Sequence, residues 1–163
     1  GVPVSIFKDI LNVLRGGIGA YSPTTVVGPY QIPDLTLGGA YAANDAFGGM
    51  FTIAVPKFGT ITDVIFYDRD DEGLNKDVVL YTRSFTPTAN DAPIALRDDE
   101  LKYSIGAISV DSWTDLLDNR LGRVTPALNY VAPQGQLWGQ WITRGADNIA
   151  SGSEPLFALV IGQ

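Results

Sequence analysis

The chain contains no cysteine and no histidine, one methionine, and 11 lysines and arginines against 18 aspartates and glutamates. Without cysteine there is no disulfide, no thiolate metal site and no thiol nucleophile. Without histidine the commonest general base, the commonest metal ligand and the physiological-pH switch are all missing. Neither a Ser-His-Asp triad nor a His-ligated zinc site can be built. Glycosidases that work with paired carboxylates survive this filter, but the balance is against an enzyme. No apolar run reaches the length of a membrane span, so no membrane partner is expected. No basic stripe is present to displace counterions from phosphate, which argues against nucleic acid. No cofactor is implied.

What is present is a chain of 163 residues, enough for one domain with a real core and no covalent staples. The net charge of −7 is concentrated in the middle: residues 63–118 carry thirteen acids and five bases, while 1–62 balance at three each. Acidic loops of one sign keep a β-protein soluble and discourage edge-to-edge association, the plainer account of this charge. The opening residues lack the basic and continuous apolar regions of a secretory signal. Gly1 is what remains when an initiator Met is removed before a small residue, so the chain reads as a complete product made inside a cell.

Residues 1–20 stand apart. Ile6, Ile10, Val13 and Leu14 fall at helical spacing, with Phe7 and Leu11 beside them. Ser5 is placed to cap and Gly16-Gly17 to stop a short amphipathic helix over 5–15. An extended arm is the rival reading, since Pro3 and the β-branched residues suit it. Either way the apolar stripe requires cover from its own domain or a neighbour.

Residues 21–163 read as a single all-β domain. Two β-branched and aromatic runs, Ile61–Tyr67 and Val78–Phe85, flank the polar loop Asp68–Lys76, the mark of a hairpin. Further strands are expected at Gln31–Thr36, Met50–Pro56, Ile94–Leu96, Ile105–Trp113, Pro126–Val131, Gln136–Thr143 and Pro155–Ile161. Asp98–Tyr103 suits a one- or two-turn helix capped by Asp98 or Asp99. Thr114–Arg123 reads as a loop, and Pro133-Gln134-Gly135 as a turn. Seven to nine short strands with one short helix near 98–104 fit an antiparallel β-sandwich or jelly roll.

Three motifs invite chemistry. Asp68-x-Asp70-x-Glu72-Gly73 has the alternating acids of a calcium loop, but the twelfth position is Val79 and the flanks are strands, so a solvated hairpin tip is preferred. Asp63, Asp68, Asp70, Asp98 and Asp99 offer several carboxylate pairs, none singled out. Trp138 and Trp141 could build an aromatic platform for sugar if Gly139 marked a bulge. On a regular strand they face opposite ways, one in the core and one at an interface.

The order of segments resembles a family of small tailed-phage structural proteins. The likeness is carried by Ala40-Tyr41-Ala42-Ala43-Asn44-Asp45-Ala46-Phe47-Gly48-Gly49, then Gly59–Val64, the acidic loop Asp68–Asp71, Leu80-Tyr81 with Phe85–Thr88, and Asp91-Ala92 with Asp98–Leu101. Leu137–Trp141 and a final apolar strand complete it, and the first 39 residues are unmatched. The resemblance implies a capsid decoration or cement protein on the virion surface, made in the host cytoplasm. It implies the major capsid protein as partner and a homotrimer, with a dimer second. Ile6, Phe7, Ile10, Leu11, Leu14, Trp138 and Trp141 are the expected contact residues. A carbohydrate- or receptor-binding module of a tail or fibre is the alternative.

Overall fold

The computed structural model describes residues 23–163. Among these residues ten strands follow one another as β1 (Thr24–Gln31), β2 (Ala46–Ala54), β3 (Phe58–Asp68), β4 (Lys76–Tyr81), β5 (Ser104–Val110), β6 (Trp113–Asp115), β7 (Arg120–Val124), β8 (Leu128–Val131), β9 (Gln136–Thr143) and β10 (Leu156–Gly162). They form two antiparallel sheets packed face to face. One is ordered β1-β10-β3-β7-β6, with β8 also on β3; the other is β2-β9-β4-β5. The first and last strands are neighbours, the next pair inward lies in the opposite sheet, and the chain keeps crossing between layers. This nesting of β1-β10-β3-β7 over β2-β9-β4-β5 is the jelly roll. Among the described residues no helix is long and apolar enough to cross a membrane.

Side-chain alternation drives the layering. In β3, Ile61, Val64 and Phe66 point into the core. The three-residue step from Ile61 to Val64 is absorbed by a register shift against β10 between Val160 and Ile161. In β9, Leu137 and Trp141 face inward, while Trp138 and Ile142 pack on the opposite side of the sheet. Gly139 lies between them in unbroken register with β4; the irregularity beside it is on β2, where Phe47 and Phe51 pair with Trp141 and Gly139. The glycine is there because a Cβ would run into the Phe51 ring and come within 2.9 Å of Leu80 Cδ2.

A second apolar layer covers the outer face of the four-stranded sheet. Val79, Tyr81, Phe85 and Ile142 form it, joined by Met50, Ile94, Leu96, Tyr103 and Trp138. The long 82–103 segment is pinned there by Gln140, which is fully buried. Its Oε1 accepts from Thr88 N at 3.0 Å, and its Nε2 donates to Thr88 O at 2.7 Å and Gly48 O at 3.1 Å. Such complete satisfaction is what a buried amide requires.

Several expectations are corrected. The first strand is Thr24–Gln31, not Gln31–Thr36: Gly28-Pro29 falls at a register shift on an edge, where a strand tolerates proline. Thr114–Arg123 is not a loop but the end of β6, a tight turn and most of β7. The runs flanking the acidic loop are not a hairpin: β3 and β4 lie in opposite sheets, and the loop crosses between the layers. Ile94–Leu96 forms no strand, and β4 stops at Tyr81. The helix near 98–104 is a 3-10 helix over Asp98–Tyr103, with Arg97 at the cap position and no side-chain cap. Asp99 instead pairs with Arg97 at 3.0 Å.

Candidate functional site

One end of the sandwich gathers the end of β3, the acidic loop, the loop from β9 to β10, and the β6–β7 turn. Asp68 ends β3 almost wholly buried, and its carboxylate folds the acidic loop back on itself. Oδ2 accepts from Gly73 N at 2.6 Å and Oδ1 from Asp70 N at 3.3 Å. Asp70 Oδ1 and Glu72 Oε1 reach across to Ala150 N and Asn148 N, tying this loop to the next one. Burial, followed by the neighbouring carboxylates Asp70 and Asp147, pushes the Glu72 carboxyl up from its ordinary value, against the Asn148 bond. Among the described residues no group of three or more acids is arranged to hold a metal ion. The alternating acids close a turn.

Beneath that loop Lys76 and Asp147 form a buried ion pair at 2.8 Å. Lys76 Nζ also donates to Leu74 O at 2.7 Å and sits 5.0 Å from the Phe47 ring centroid. Thr143 Oγ1 donates to the other Asp147 oxygen. Burial lowers the Lys76 ammonium from its ordinary value, and Asp147 opposes the shift. Both groups are hydrogen-bonded to each other and to their neighbours and are sealed from solvent, so this centre holds loops together.

Beside it opens an apolar cleft of about 250 Å³. Its floor is a row across three strands: Leu156 of β10, Tyr67 of β3 and Leu121 of β7 are register partners on the outer face of the larger sheet. Leu116 and Asn119 of the β6–β7 turn form one wall, and Arg69 and Arg120 stand at the rim. Arg120 Nε binds Asp71 at 2.7 Å, with Asp115 3.6 Å from its Nη2. Arg69 Nε donates to Glu154 O at 2.7 Å and its side chain remains 43% exposed. From the same turn Leu117 projects into solvent, 85% exposed, at a φ of 79°.

The opposite end of this outer face carries exposed Phe58 and Val131, register partners on β3 and β8. A polar waist separates the two ends, with Asp63 and Arg123 paired at 2.9 Å and Thr60 donating to Asn129.

The expected contact residues are dispersed. Ile6, Phe7, Ile10, Leu11 and Leu14 lie outside the described residues. Trp141 is fully buried between the sheets, its ring 5.1 Å from Phe66 and 5.5 Å from Phe157, so its place as a contact residue is corrected: it is core. Trp138 is half-buried on the outer face of the smaller sheet, near Tyr103, over whose ring Arg83 stacks at 4.0 Å. The two tryptophans therefore form no shared platform. Sequence reasoning missed the cleft, whose one local signal was Leu116-Leu117-Asp118-Asn119, turn residues between short apolar flanks. Comparison with family models, with curated proteins and with solved structures gives no match.

Proposed function

We propose that this protein is a non-enzymatic component of a viral shell, a cement or decoration protein that binds and stabilises the major capsid protein. The observation that carries this reading is the strand order, β1-β10-β3-β7 over β2-β9-β4-β5. Jelly rolls serve mainly as viral capsid modules, lectins and cupins. A chain without histidine cannot supply the imidazole ligands of a metal-dependent cupin. A lectin would want paired exposed aromatics, and one of the two tryptophans on β9 is core. The step from fold to role is one of analogy. The segment likeness to tailed-phage structural proteins points the same way, and a sealed, cross-tied β-core suits a part whose task is mechanical.

The test is to add the full chain to capsids purified without it and measure co-sedimentation and the temperature at which the shells open. Saturable binding with a raised opening temperature is expected, and failure to co-sediment would overturn the reading. Partly buried Trp138 beside Tyr103 favours the second reading, a glycan- or receptor-binding module of a tail or fibre. Quenching of tryptophan fluorescence by soluble glycans, lost in Trp138→Ala, would select it over the first.

A further inference from the structure

The β6–β7 turn carries an apolar knob and an apolar socket side by side. Leu117 stands 85% exposed between Leu116 and Asn119, both of which line the cleft floored by Leu156, Tyr67 and Leu121. Leucine is a poor choice for a left-handed backbone position, which glycine or asparagine adopts at less cost. Its own cleft is out of reach of a side chain that points to solvent. Charge is arranged to match. Asp118, next to the knob, has no ion-pair partner among the described residues, whereas Arg69 at the socket's rim is 43% exposed; its Nε is held by Glu154 O at 2.7 Å, but its Nη2 lies 3.8 Å from the Glu154 carboxylate.

We propose that this turn is a self-association surface: Leu117 of one copy enters the cleft of a second copy, and Asp118 meets the second copy's Arg69. Because knob and socket lie within a few residues of each other, seating one brings the other into place. The contact is therefore reciprocal about a twofold axis, with the same patch on both copies. Two leucines and two charge pairs are buried per dimer. The surface does not depend on the capsid reading and would serve a shell or a fibre component equally.

The test is sedimentation equilibrium of the full chain over a wide concentration range, with two variants. The wild-type chain is expected to show a monomer–dimer equilibrium. Leu117→Asn suits the left-handed turn, so it keeps the fold and the melting temperature while weakening the dimer roughly a hundredfold, two buried leucines being lost. Asp118→Arg weakens it as well, and adding Arg69→Asp restores it. A monomer at every concentration overturns the proposal and leaves the cleft to a different partner. An oligomer indifferent to Leu117→Asn overturns it too.

Discussion

Lys76 Nζ and Asp147 Oδ2 lie 2.8 Å apart with both side chains 2% exposed, joining the first residue of β4 to the loop that leads into β10. Removing one partner strands the other charge in the interior. Lys76→Met is expected to cost about 3–5 kcal/mol in urea unfolding, whereas the double variant Lys76→Met/Asp147→Leu recovers most of that loss. Equal costs for the single and the double variant would show that the pair is not the source of the effect.

Glu72 has a different pH signature. Its carboxyl is raised in the folded state by burial and by Asp70 and Asp147, so ionising it opposes folding. The stability it contributes is fully present below the ordinary carboxyl value and is lost as pH rises through the raised one. Glu72→Gln keeps an acceptor for Asn148 N and is expected to melt higher than wild type at pH 7. The difference should vanish in acid below the ordinary value. A melting difference independent of pH would contradict the assignment.

At Gly139 the constraint is steric. A methyl there meets Phe51 and Leu80 with no free volume, so Gly139→Ala is expected to cost about 1–3 kcal/mol by overpacking. Thermal unfolding checks it, and an unchanged melting temperature would mean that the core between β2, β4 and β9 is looser than its contacts indicate.

The apolar stripe of residues 5–15 gives a separable prediction. Deleting residues 1–15 is expected to leave the melting of the β-domain unchanged while weakening attachment to capsids. Unchanged attachment would sink the contact role of Ile6, Phe7, Ile10, Leu11 and Leu14.

The two strands either side of the acidic loop and the opposite facing of Trp138 and Trp141 were legible because side-chain alternation is a local property. That β3 and β4 go to opposite sheets instead of pairing was not, because partner choice is settled by distant strands. Residues 24–31 hid behind Gly28-Pro29, which reads as a break and is tolerated on an edge. Trp113–Val124 hid because its short strands carry arginines and aspartates whose pairing, Arg120 with Asp71 and Asp115, is settled across the sheet. The cleft was out of reach for a stronger reason. Leu156, Tyr67 and Leu121 come from three strands far apart in sequence and align only through register, which no single segment encodes. The acidic loop's spacing invites a cation, over which a solvated hairpin tip is preferred. The loop is neither solvated nor a hairpin tip, with Asp68, Asp70 and Glu72 accepting from backbone N–H groups and Asp71 from Arg120.

A shell role is tested most directly by abundance. Quantitative mass spectrometry of purified virions, with this chain measured against the major capsid protein, is expected to give copy numbers comparable to the shell subunit. A handful of copies per particle, or none, would contradict it.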